Sequence, residues 1–169
     1  WWYRVRDTGI TPLLLLVFST PMVFSGIETV FALWSERAFG WGPVTNGYMY
    51  TFMGAMAVLV QGVAIGPITA RLGERYTIVL GMSTTTLGCL AMPLANGMAG
   101  VMAGLALTIF GVSVCGPSLS ALIAAQAGEH ERGALLGISQ SAGGLGRIVG
   151  PALSGTVLAT LGIDWPFLL

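Results

Sequence analysis

The chain has 169 residues, of which 54% are apolar and 8% are charged, and its mean hydropathy is +0.82. Soluble domains carry roughly 25% charged residues, so this composition excludes an ordinary soluble protein. Seven arginines balance seven acidic residues, and the sequence has neither a lysine nor a basic patch. This neutral balance argues against a nucleic-acid partner.

Five apolar segments are long enough to cross a bilayer, which takes roughly 20 helical residues. In chain order they are 11–33, 45–70, 76–94, 98–125 and 133–160, and a sixth begins at 165. Because the connections are short, consecutive helices are expected to lie antiparallel. The sequence therefore predicts an all-α membrane protein, a bundle of six transmembrane helices with a truncated last helix. We expect it to be a fragment of a longer protein, since it starts with Trp1 and the sixth segment stops at Leu169.

A short connection between the second and third segments carries arginines around a glycine. Its motif residues are Gly66, Arg71, Gly73 and Arg75. Gly73 supplies the backbone freedom for a tight bend, and arginines near helix ends favour the cytoplasmic side. Apart from Arg147, which lies inside a segment, only Arg37 falls on the other side. The arginines predicted to be cytoplasmic are Arg4, Arg6, Arg71, Arg75 and Arg132. This distribution predicts a cytoplasmic N-terminus for the chain.

Aromatic rings prefer the boundary between membrane and water. With this orientation, a cluster of rings is expected at the outer boundary. The cluster consists of Trp34, Trp41, Tyr48 and Tyr50.

Two charged residues lie well inside predicted spans. Glu28 is about 17 residues into the first span and Arg147 about 14 into the fifth, roughly 25 and 21 Å from the same face. An isolated charge in hydrocarbon costs several kcal/mol, so each needs a partner or a wet cavity. We expect the two either to pair or to lie across one polar cavity. A static ion pair and a gating or proton-coupled role both remain open.

Other polar residues are candidates for a water-filled path. On the fifth segment, three- and four-residue spacing predicts one small and polar face, formed by Gln140, Gly143, Arg147, Pro151 and Ser154. Gln61 is an amide within an apolar part of the second segment, and unsatisfied amides are costly in lipid. Ser113 lies on the fourth segment, where bonding to its own helix backbone is the alternative. The predicted substrate or proton path is Glu28, Arg147, Gln140, Gln61 and Ser113.

Glycines spaced by four residues allow helix backbones to approach closely in lipid. The pairs are Gly62 and Gly66, Gly100 and Gly104, Gly133 and Gly137, and Gly146 and Gly150. They indicate either ordinary helix packing or a specific sliding interface. Prolines that bend helices accompany nearly every span, at Pro21, Pro67, Pro93, Pro117 and Pro151.

Nothing in the sequence indicates catalysis. His130 lies in a loop, Cys89 and Cys115 are in separate apolar segments, and no nucleotide-binding or metal-binding motif is present. We therefore expect no enzymatic activity, no metal and no cofactor.

With these features in place, the chain resembles the C-terminal six-helix half of a major facilitator superfamily transporter over essentially its whole length. The Gly66 to Arg75 motif looks like the second copy of that family's cytoplasmic loop motif, Gly-xxx-Asp-Arg-x-Gly-Arg-Arg. Ala70 stands in place of the aspartate and Glu74 in place of a basic residue. The segment from Glu28 to Trp41 also resembles the seventh-helix end of drug-efflux proteins of this family.

The fifth segment is similar to the family's antiporter motif, which lies on the fifth helix of the first half and is associated with drug:proton antiporters. Ser154 replaces one of the motif glycines. The matching residues are Gly137, Gly146, Gly150, Pro151 and Gly155.

The resemblance implies one half of a 12-helix fold that alternates its access between membrane faces. The first and fourth helices would line the cavity, and the second and fifth would form the moving interface with the missing N-terminal half of the same polypeptide. The implied function is proton-coupled export of a small, drug-like amphipathic compound, in the bacterial inner (plasma) membrane. Expected partners are the lipid bilayer, that N-terminal half, the substrate and protons. A metabolite or sugar carrier, and a non-transporting membrane scaffold module, are the alternatives.

Overall fold

The computed structural model describes residues 10–128 and 131–168, and these residues form helices and connections without a strand. The predicted all-α fold is confirmed. His130, Arg4 and Arg6 lie outside the described residues. The helices are α1, Ile10–Phe39; α2, Pro43–Leu59, continued by a π-helical turn, Val60–Ala64; α3, Ile65–Ala91; α4, Gly97–Gln126; and α5, Arg132–Thr160. A 3-10 turn, Trp165–Phe167, follows α5.

Within the described residues, three helical stretches are long and apolar enough to cross a membrane. They are Ile10–Phe39, Pro43–Ala91 and Gly97–Gln126. The second, at 49 residues, contains two of the segments predicted to span separately. Helix α5 is also long, but its apolar sequence is interrupted by glycines, Gln140 and Arg147. That α5 also spans the membrane stays a prediction.

The division of the 49-residue stretch falls at Gly73, where the sequence predicts a bend. Gly73 has φ 74° and ψ 162°, well outside the helical region. This left-handed backbone is open to glycine because it has no Cβ to collide with the following carbonyl. Arg71 and Arg75 are exposed on either side of the bend.

Helices α1 and α5 are parallel and in backbone contact. A Cβ built on Gly146 would meet the carbonyl oxygen of Phe18, and one built on Gly150 would meet that of Met22. A third contact joins Gly26 to Ser154. Residue numbers rise together along both helices, which fixes their shared direction.

Helices α3 and α4 are antiparallel, and their backbones approach each other as closely as those of α1 and α5. A Cβ on Gly81 would lie 2.7 Å from the carbonyl oxygen of Gly111, and one on Gly88 would lie 2.7 Å from that of Gly104. In both helices the contacting glycines are seven residues apart, whereas the predicted pairs are spaced by four residues. Of the predicted small-residue pairs, some have nothing within 4 Å of an added Cβ. These open positions are Gly62, Gly66, Gly133 and Gly137.

Two clusters of buried apolar side chains fill opposite ends of the bundle. One joins the start of α1 to the end of α4 and the start of α5, through Ile10, Ile123 and Leu135. The other joins the end of α1 to α2 and the start of α4, through Trp34 and Val101. The middle of the bundle is left free for a cavity.

The end of α1 differs from the prediction. The helix continues past Leu33 to Phe39 and stops only at Gly40, whose φ is 69°. Trp34 is 1% exposed, so it belongs to the core and not to a membrane boundary. Its Nε1–H donates a 3.0 Å hydrogen bond to Asp164, and its ring packs on Phe167, with centroids 5.0 Å apart. These contacts explain why α1 is longer than its hydropathy indicates.

Candidate functional site

A cavity of about 650 Å³ opens in the middle of the bundle. It is lined by α1, α2 with its π-helical turn, α4 and α5. The first and fourth helices line it, as the resemblance implies, and the second and fifth contribute walls as well. All five residues predicted for the path lie on these walls: Glu28, Gln61, Ser113, Gln140 and Arg147. Their roles stay predictions.

The two charged residues of the cavity do not pair. Glu28 and Arg147 both belong to the described part of the chain, are exposed on the cavity, and form no ion pair within 4.0 Å. The register of α1 and α5 explains this. Gly146 lies against Phe18 and Met22 of α1, and Gly150 lies against Met22 and Ser25. These pairs differ by 124 to 128 positions, about 126 on average, which places Glu28 level with Ser154, seven positions beyond Arg147. That is roughly 10 Å along the axis at 1.5 Å per residue.

The prediction that Glu28 and Arg147 lie at similar depth was therefore wrong. Their relative height depends on the contacts between α1 and α5, which the number of residues from each helix start does not give. Of the two arrangements expected, the structure has the one in which the charges lie across a shared cavity.

Tyr50 joins α2 to α1 beside Glu28. Its hydroxyl donates a 2.9 Å hydrogen bond to the Glu28 backbone carbonyl, and its ring meets Phe31 edge-on, with centroids 5.8 Å apart. Sequence reasoning assigned Tyr50 to the outer boundary and missed this role. The available signal was its spacing from Gly54, Ala57 and Gln61, which puts all four on one helix face. All four line the cavity.

Gln61 lies on the π-helical turn Val60–Ala64. Such turns insert an extra residue into an α-helix and occur frequently at functional sites. Val60 is buried, whereas Gln61 is exposed and lines the cavity. The turn therefore presents an amide on a wall that is otherwise mostly apolar.

The small and polar face predicted on α5 is divided between two surroundings. Gln140, Gly143 and Arg147 line the cavity. Ser154 instead packs against Gly26 of α1. Three- and four-residue spacing spreads over more than one face across fourteen residues, so the single stripe was too wide an assignment.

The residues matching the antiporter motif are divided as well. Gly146 and Gly150 pack on the α1 backbone within this bundle, and Pro151 is half-buried inside α5. An added Cβ at Gly137 or Gly155 would meet nothing within 4 Å. The expectation that this motif forms the interface with a second half is thus wrong for Gly146 and Gly150, whose surfaces α1 already covers.

Comparison with known proteins gives the family to which the chain is similar. Residues 12–169 match the family model of the Major Facilitator Superfamily. The chain is similar to multidrug resistance protein 2 of Bacillus subtilis (strain 168), with 32% identity over 157 residues, 91% of this chain and 38% of the relative. It is also similar to the class D tetracycline resistance protein of Salmonella ordonez, with 32% identity over 152 residues, 83% of this chain and 36% of the relative.

A mammalian relative shows the breadth of the similarity. Major facilitator superfamily domain-containing protein 10 of Mus musculus is 26% identical over 155 residues, 92% of this chain and 33% of the relative. The chain thus spans less than two fifths of the length of these relatives. The match to the family model, the apolar helices and the helical bundle lead to one conclusion: this chain is an integral membrane protein that belongs to the Major Facilitator Superfamily.

Proposed function

We propose that this chain is one half of a two-bundle transporter, not an enzyme, and that the whole protein exports a small, drug-like amphipathic compound. The observation that carries the proposal is the cavity in the middle of the bundle, with charged and amide side chains on mostly apolar walls. Such a surface suits a ligand with an apolar body and a few polar groups. The names of the multidrug and tetracycline resistance relatives support drug-like substrates.

The proposed partner is an N-terminal six-helix half of the same polypeptide, in a bacterial inner membrane. Relatives more than twice as long as this chain support it, as does the requirement of alternating access for two bundles around one site. The proposed orientation has a cytoplasmic N-terminus. It is supported by Arg71, Arg75 and Arg132, which lie toward the end of the bundle where α1 begins, whereas Arg37 lies toward the other.

Proton entry is proposed as the driving force, with Glu28 as a participant. A carboxylate on a cavity wall can accept a proton, and the resulting loss of charge weakens its hold on a cationic substrate. Glu28 is exposed on the cavity wall, and Tyr50 fixes the backbone beside it.

A carrier of sugars or similar metabolites is the second candidate. It is favoured by Gln61 and Gln140, because two amides that line one cavity can hydrogen-bond to hydroxyl groups. A static scaffold is disfavoured because such a role gives no reason for an open cavity that holds two charged side chains which do not pair with each other.

The test is transport by the intact protein reconstituted in vesicles with an imposed pH gradient. We expect an amphipathic cationic dye to move against its gradient, and Glu28→Gln to lower the gradient-driven rate at least tenfold, a typical effect of removing a proton-transfer group. Glu36→Gln is the control, because Glu36 is exposed on the same helix outside the cavity.

An unchanged rate for Glu28→Gln would remove the proton role of this residue. Movement of a labelled sugar, without movement of the dye, would favour the second candidate over export of drug-like compounds.

A further inference from the structure

We propose that the cavity selects elongated zwitterions, with a cationic group bound at Glu28 and an anionic group at Arg147. The inference rests on the proposed transport function and specifies its substrate class. It starts from opposite charges on two helices, α1 and α5, that share one cavity and do not neutralise each other.

The spacing of the two charges sets the length of the ligand. Backbone contacts between α1 and α5 hold the helices in a fixed register, in which Glu28 and Arg147 are roughly 10 Å apart along the bundle axis. A ligand with adjacent charges reaches one of these groups at a time. A ligand with charges at its two ends reaches both.

The wall between the charges suits an apolar, aromatic body. Phe24 lies on α1 between the levels of Arg147 and Glu28, and Tyr50 and Met53 face the same cavity from α2. Aromatic rings favour offset or edge-on contact with a flat ligand, and methionine adapts to its outline.

Ligands of different charge differ in which charged side chain of the cavity they leave without a partner. With α1 and α5 spanning the membrane as predicted, Glu28 and Arg147 are at membrane depth, where a charge without a partner or water is costly. A cation satisfies Glu28 and leaves Arg147 unpaired, and an anion does the reverse. A long zwitterion satisfies both without adding net charge to the cavity.

The test measures binding of four related probes to the intact protein in lipid nanodiscs. The first is 4′-(aminomethyl)biphenyl-4-carboxylate, a rod with an ammonium at one end and a carboxylate at the other. Its methyl ester keeps only the cation, and its N-acetyl derivative keeps only the anion. Biphenylalanine keeps the apolar body but holds both charges next to each other.

We expect the rod-shaped zwitterion to bind about tenfold more tightly than each of the other three probes, the change typical of one charge-assisted contact. In Glu28→Gln, the zwitterion and the N-acetyl derivative should bind equally. In Arg147→Gln, the zwitterion and the methyl ester should bind equally. The comparison of probes on the wild type needs no variant and stands alone if a variant fails to fold.

Equal binding of the zwitterion and either singly charged derivative to the wild type would overturn the inference, as would no binding of the zwitterion. Tight binding of biphenylalanine would overturn the length argument. The dye-transport experiment is independent of these probes, so export with no preference for the zwitterion refutes only this inference. Zwitterion binding without any transport refutes only the proposed export.

Discussion

Replacing Gly111 by alanine is expected to destabilise the bundle by about 1–3 kcal/mol, the usual cost of overpacking. The new Cβ would collide with the carbonyl oxygen of Gly81 and with Oγ1 of Thr85 on α3. One of these is a backbone atom, so rotation of a side chain cannot relieve the collision, and α3 must move away from α4. The measurement is the apparent melting temperature of the purified intact protein in detergent, which should fall.

The matched control is Gly47→Ala on α2. Gly47 has nothing within 4 Å of an added Cβ, and alanine in a helix interior is favoured over glycine by roughly 0.5–1 kcal/mol. Its melting temperature should therefore stay the same or rise. An equal fall for both variants would show that α3 and α4 are not in the backbone contact described above.

Replacing Trp34 by alanine is expected to cost about 3–5 kcal/mol, as is typical for a large aromatic side chain removed from a core. Trp34 is 1% exposed, and it packs on Phe39 and Phe167, with ring centroids 5.4 and 5.0 Å away. The change would also remove its hydrogen bond to Asp164. The C-terminal end of α1 should separate from the Trp165–Phe167 turn. The melting temperature should fall by more than in Gly111→Ala.

Two further variants separate the contribution of ring packing at Trp34 from that of its hydrogen bond and from the effect of losing any tryptophan. Trp34→Phe keeps most of the packing and loses the indole donor, so its cost should be about 1 kcal/mol, the net value of one hydrogen bond. Trp165→Ala removes a ring that is 51% exposed and should have little effect. If Trp165→Ala destabilised the protein as much as Trp34→Ala, the core position of Trp34 would be refuted.

Sequence reasoning predicted those features that depend on local physics. Long apolar segments became helices, and the bend at Gly73 follows from a glycine between two exposed arginines. Polar residues inside apolar segments face a cavity, because membrane depth offers them few other favourable surroundings. For this reason Glu28, Gln61, Gln140 and Arg147 could be found without a structure.

Features that depend on contacts between helices could not be predicted in the same way. Trp34 has an amphipathic ring that suits a membrane boundary, and nothing local indicates its bond to Asp164, 130 positions along the chain. Glycine spacing shows that a helix can approach a neighbour closely, but not which neighbour. Gly146 and Gly150 therefore fitted an interface with a second half equally well, until their contacts placed them on α1.

The proposed function requires the cavity to be a water-filled binding site for the substrate, and cysteine labelling tests this requirement. Gly144→Cys would place a thiol on the cavity wall, in a background with the buried Cys89 and Cys115 replaced by serine. Leu145→Cys is the control, on the neighbouring residue outside the cavity. We expect a membrane-impermeant thiol reagent to label position 144 and not 145, and a bound substrate to protect 144. Labelling at 145 alone, or labelling at 144 that no substrate slows, would show that the cavity is not a water-filled substrate site.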